Sequence, residues 1–169
     1  MTLAVVLHRS GWRISNVISD NGKGVSLMGC YILVDGKYES KNWWNELIRV
    51  CAVIGEMFEI HCWSDESAEI RQALRYGEKS AGAWHGGITI RGRITKEFIS
   101  FLTEAPKPED TQIYNKMTPF FTIILGDRLH SEHYGTEMII SKAVRENLSE
   151  VEQILKQIES DATIHRNIG

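Results

Sequence analysis

The stretch KNWWNELIRVCAVIGEMFEIHCW, residues 41–63, decides the fold, because two hydrophobic periods meet in it. Trp43, Trp44, Leu47, Ile48, Cys51 and Ile54 recur at three- and four-residue intervals, which lines them along one side of a helix over Lys41–Ile54. Ser40 supplies an N-cap for it and Gly55 a stop. From Met57 to Trp63 the period changes to two, with Phe58, Ile60 and Cys62 on one side and Glu59, His61 and Trp63 on the other. An amphipathic helix feeding a two-faced strand implies a sheet with helices packed on it.

Working outward, Ser64-Asp65-Glu66 sets a cap and two carboxylates at the positive end of a helix that runs through Ile70, Ala73 and Leu74 to Gly77. Gly82–Gly87 reads as a connector, Ile88–Arg91 as a strand, and Thr95–Leu102 as a helix ended by Pro106 and Pro108. Ala105–Pro119 has charge and proline but no period and reads as a surface loop. Phe120–Leu125 is an interior strand and Glu137–Ile140 a shorter one. Ser149-Glu150-Val151-Glu152 matches a capping box ahead of a last helix with the stripe Val151, Ile154, Leu155 and Ile158. The tail from about His165 to Gly169 is expected to fray. Upstream, Leu3–His8, Trp12–Ile18 and Val25–Val34 read as strands, with Asp35-Gly36 turning a hairpin into Lys37–Glu39. The expectation is one α+β domain over residues 1–169, a mixed and mostly antiparallel sheet packed with about four helices.

The 169 residues suffice for a substantial core, and fractions of 43% hydrophobic and 24% charged exclude a wholly disordered chain. No run reaches the roughly 20 apolar residues that span a bilayer. A formal charge of −3 argues against general affinity for nucleic acid. The basic groupings, Arg91-Gly92-Arg93 with Lys96, and Arg71, Arg75 and Lys79 on a helix, read as solvated faces. Cys30, Cys51 and Cys62 are odd in number at unrelated spacings, and the N-terminus shows no basic leader; both point to a reducing, cytoplasmic setting.

No spacing matches a known catalytic chemistry, so no catalytic residue, cofactor or metal is assigned, and the balance favours a binding protein over an enzyme. His130-Ser131-Glu132-His133, near Glu137, could share ligands on a helix face, yet it lacks the His-Glu-x-x-His spacing and reads as a polar loop. His61 and Cys62 point to opposite faces of their strand, so a thiol dyad requires His8, His85 or His130 to be brought to Cys62. Gly82–Gly87 lacks the Gly-Lys-Ser/Thr ending of a phosphate loop. What remains is a set suited to partner binding: Trp63 and Trp84 as aromatic anchors, Asp65, Glu66 and Glu69 beside them, and Glu104, Glu109 and Asp110 around the proline loop.

In its acidic groups Asp65-Glu66-Ser67-Ala68-Glu69 and Glu109-Asp110, together with the missing catalytic spacing, the chain resembles the immunity proteins of bacterial contact-dependent growth inhibition and related toxin systems. The resemblance covers size, charge and single-domain character, and it carries over no individual residue. It implies a cytoplasmic protein that binds one cognate toxin domain, commonly a nuclease, and blocks its active site or substrate path, with no membrane and no direct nucleic-acid partner. The alternatives are a small metal- or histidine-dependent hydrolase or nuclease using His130, His133 and His85, and a nucleic-acid module using Arg91, Arg93 and Lys96.

Overall fold

A computed structural model describes residues 28–33, 40–81, 84–109, 115–141, 144, 147–158 and 163–166. Along the chain these form β1 (Met28–Leu33), α1 (Asn42–Cys51), β2 (Met57–Trp63), α2 (Ser67–Ala73), β3 (Glu78–Ser80), β4 (Gly87–Arg93) and α3 (Lys96–Glu104). There follow β5 (Thr122–Leu125), β6 (Leu129–Glu132), a 3-10 turn (His133–Gly135), β7 (Glu137–Ser141), α4 (Leu148–Ile158) and β8 (Thr163–Arg166). Among the described residues the eight strands make one sheet in the order β3-β4-β2-β5-β6-β7-β1-β8, and every pairing is antiparallel. The class is α+β.

The alternation of β2 sets the core. Ile60 sits between Ile90 of β4 and Ile123 of β5, and all three are fully buried. Phe58 on the same face stacks on Phe98 of α3 with ring centroids 3.9 Å apart. The apolar stripe of α1 reaches the other half of the sheet, where the Trp44 indole N–H points at the Ser131 hydroxyl on β6, 3.4 Å away. α4 packs against α1 through Val151, Ile154 and Leu155. Thr95 caps α3 by accepting from the Phe98 amide, which anchors the helix directly after β4.

Several expectations shift. α1 ends at Cys51, and Ile54 is 57% exposed in a turn rather than on the stripe. Gly55 takes a φ of 94° and its amide bonds the Ile94 carbonyl, so the chain leaves the helix early to reach that partner. Lys79 lies in strand β3, not on a helix, because β4 offers Glu78–Ser80 an open edge. The polar loop expected around His130 is strand β6. Ser149 is inside α4 rather than its cap, and the polar pair at that helix start is Asn147 donating to Glu150. His165 and Arg166, expected in a frayed tail, are held in β8 by pairing with β1. The strands read at Leu3–His8 and Trp12–Ile18 and the hairpin at Asp35-Gly36 lie outside the described residues.

Lys41 is a buried cation at the start of α1. Its Nζ donates to the Leu102 carbonyl at 2.9 Å and sits 5.0 Å from the centre of the Trp44 ring. Burial, helped by the charge of Arg49, lowers its pKa from 10.5 to about 8.

Two measurements test this packing. Phe98→Ala should cost about 3–5 kcal/mol in urea unfolding, the range for deleting a buried phenyl ring. Between pH 8 and pH 10 the unfolded chain keeps the Lys41 proton that the folded chain releases, so stability attributable to this group rises with pH. Lys41→Met should remove that rise, seen as a urea midpoint that no longer climbs over this interval relative to wild type.

Candidate functional site

The face of the sheet opposite the Ile60 row carries the polar side chains, because period two leaves them nowhere else. Glu59 lies directly across from Arg91 in the β2–β4 ladder, and the Arg91 Nε donates to one Glu59 oxygen. His61, two residues along the same face, meets the other oxygen. Burial alone would raise the Glu59 pKa, but hydrogen bonds from His61 and Arg91 and their charges outweigh it and hold the carboxyl below its usual range.

Trp84 lies over His61 with rings nearly parallel, 5° apart in plane and 4.9 Å between centroids. Two glycines make room for it. A Cβ on Gly86 would fall 2.5 Å from the Trp84 ring, and one on Gly87 would collide with the Cys62 carbonyl oxygen. Trp63 and Phe121 complete the aromatic group, at 5.1 and 4.8 Å from one another's neighbours Trp84 and Trp63 respectively. Phe121 in turn meets His133 and Tyr134 edge-on.

Of the residues expected at a binding surface, the structure brings Trp63, Trp84, Asp65 and Glu66 together at one end of β2. Trp63 is 38% exposed, whereas Trp84 is half-buried. Asp65 is exposed and Glu69 half-buried in the first turn of α2. Glu66 is not a free surface charge: it accepts from the Trp63 amide at 2.8 Å and from the Tyr134 hydroxyl at 2.7 Å. Glu104 closes α3 on the helix-covered side of the sheet, away from Trp84, and Glu109 is exposed in the segment after it. Asp110 lies outside the described residues.

The histidine motif is rearranged. His130 and His133 share no helix face; one belongs to β6 and the other begins the turn after it. His130 pairs with Glu132 at 3.6 Å and His133 with Glu137 at 3.2 Å. Burial pushes the His130 pKa down and the charge of His61 adds to this, against Glu132 and Glu59. The hydrogen bond to Glu137 pushes His133 up, with burial opposing. Glu132, His133 and Glu137 offer ligand atoms all within 4.8 Å of one another, the one such group among the described residues.

Cys62 is on the core face, away from His61 and His130, and burial together with Glu66 and Glu69 pushes its thiol up to about 12. Burial also takes Cys51 up to about 12, against the charge of Arg128, so both environments disfavour the thiolate. Arg91 is engaged by Glu59, and an Arg93 Nη donates to the Gly55 carbonyl. Sequence reasoning missed Glu59, Phe121 and Tyr134. The i, i+2 spacing of Glu59 and His61 was a usable signal, but Tyr134 reaches Glu66 across 68 positions.

Among the described residues no helix is long and apolar enough to cross a membrane. No protein-family model matches the chain, and searches of curated proteins and of solved structures return no match.

Because the Glu59 carboxyl is depressed in the folded state, its stabilisation is present above the unfolded-state value of about 4.3 and is lost as pH falls through the lower folded value. Glu59→Gln should therefore unfold earlier than wild type at pH 6, by about 1.5–3 kcal/mol for hydrogen bonds to a charged group. The gap should narrow as the pH is lowered below the unfolded-state value of about 4.3, read from urea midpoints at each pH.

Proposed function

We propose that the chain is an immunity-type binding protein that engages one cognate toxin domain, commonly a nuclease, and blocks its active site or substrate access. The observation that carries this reading is Trp63, 38% exposed at the end of β2 and braced from inside by Trp84 and Phe121. A ring already fixed by its neighbours loses little rotamer freedom on binding and covers a large area, which is what interface anchors do. Asp65 and Glu69 stand beside it. Carboxylates placed at the rim of an aromatic anchor attract the lysines and arginines with which a nuclease holds phosphate, and speed association. The task needs affinity and no turnover.

A histidine- or metal-dependent hydrolase is the second reading. The observation favouring it is that His130 in β6 and His133 in the turn after it each face a carboxylate, Glu132 at 3.6 Å and Glu137 at 3.2 Å, and are displaced in opposite directions, His130 towards the neutral form and His133 towards the charged form. Such a split is how acid and base roles are assigned within one site.

Capture from a lysate of the native cells, comparing wild type with Trp63→Ala and with Asp65→Lys/Glu69→Lys, tests the first reading. Wild type should retain one stoichiometric protein through salt washes. With that partner purified, Trp63→Ala should weaken binding about thirtyfold, the effect of an interface hot spot. The double charge reversal should slow association and flatten its salt dependence. Equal binding by all three proteins would move the interface elsewhere. Absence of any partner, with hydrolytic activity lost in His130→Ala and His133→Ala, would replace this reading with the second.

A further inference from the structure

Glu132 ends β6 and Glu137 opens β7, and the two are direct partners in the antiparallel ladder. Like charges placed opposite each other on a sheet repel. Their strands cannot separate to relieve this, because Ser131 pairs with Met138 and Leu129 with Ile140 behind them, all four buried. The turn that joins the strands begins at His133, whose φ of 47° lies in the left-handed region and which directs Nδ1 to 3.2 Å from a Glu137 oxygen. The edge contact with Phe121, 5.3 Å between centroids, braces the imidazole.

Two ligands on a tetrahedral zinc ion with bonds of about 2.0–2.1 Å are roughly 3.4 Å apart. The His133–Glu137 separation already has that length, and Glu132 lies within 4.8 Å of both, a distance that a side-chain torsion closes. We propose that Glu132, His133 and Glu137 form a site for a first-row divalent cation, zinc above all. One imidazole with two carboxylates suits zinc or manganese; the absence of thiolate among these three ligands disfavours softer ions, and magnesium, which keeps its waters, gains little from an imidazole. All three side chains are about a third exposed, so an ion enters from solvent and water fills the remaining positions. His130 is not a ligand here. Its Nδ1 stands 3.6 Å from a Glu132 oxygen, close enough to bias the position of that carboxylate. The site stands independently of the toxin-binding reading; under the hydrolase reading it is the metal centre.

The test uses the full chain stripped with chelator. Zinc is titrated calorimetrically, with magnesium as control, and cobalt absorbance reports the ligand set. Wild type should take up one equivalent of zinc at low micromolar concentration and show cobalt bands of low coordination number. Glu132→Gln and Glu137→Gln should each weaken zinc binding by more than about tenfold, and His130→Gln, an orienting change, by less. His133→Asn removes the imidazole but keeps a residue that tolerates the left-handed backbone, and it should abolish the cobalt bands. The metal-free thermal midpoint of Glu132→Gln should equal or exceed wild type, since it removes the repulsion with Glu137 and leaves the His133–Glu137 contact in place. If His133→Asn fails to fold, the Glu132→Gln/Glu137→Gln double variant decides. Zinc uptake that is absent, or that survives unchanged in the folded variants, overturns the site.

Discussion

Strand β2 runs between β4 and β5 and bonds to both, so its period of two assigns the faces of the whole central sheet. On one side Phe58, Ile60 and Cys62 take their places in rows with Ile90 and Ile123, and α3 covers them. Slippage by one residue would bring Glu59 and His61 under the helices and expel Ile60 into water, a change no local adjustment could absorb. The helices, the remote strands β6 and β7, and the aromatic end all depend on that register being kept.

The second face collects what the first rejects. Glu59, His61 and Arg91 form a mutually satisfied group beneath Trp84, the carboxylate bonded to both of its neighbours. Across the sheet the balance differs: Glu132 and Glu137 oppose each other, with His133 beside them. The same strand geometry thus produces a closed polar cluster at one position and a cation-seeking one at another. The difference lies in whether the ladder partner of a carboxylate is an arginine or a second carboxylate.

Legibility followed the strength of the local period. β2 was readable residue for residue because its alternation is strict, and α3 because Phe98, Ile99, Phe101 and Leu102 make a dense run of apolar positions. β3 and β6 were not readable: Glu78-Lys79-Ser80 and His130-Ser131-Glu132 are polar segments that become strands because a neighbour's unpaired backbone groups are available. The aromatic end was half legible. Trp63 and Trp84 stood out by residue type, while Phe121 fell within the interior strand read at Phe120–Leu125 and Tyr134 followed directly on the segment read as a polar loop. The hydrogen bond of Glu66 to Tyr134 was hidden for the same reason, since the two are remote in the chain.

The sequence by itself determined the class, the core face of β2 and the helices that cover it, since those follow from hydrophobic spacing and local caps over a few residues. The tertiary structure alone decided which polar groups meet. Arg91 reaches Glu59 and Glu137 faces Glu132 through ladder register, and Glu66 is tied to Tyr134 by a long-range contact. Register is a property of paired strands and is not written in either strand alone.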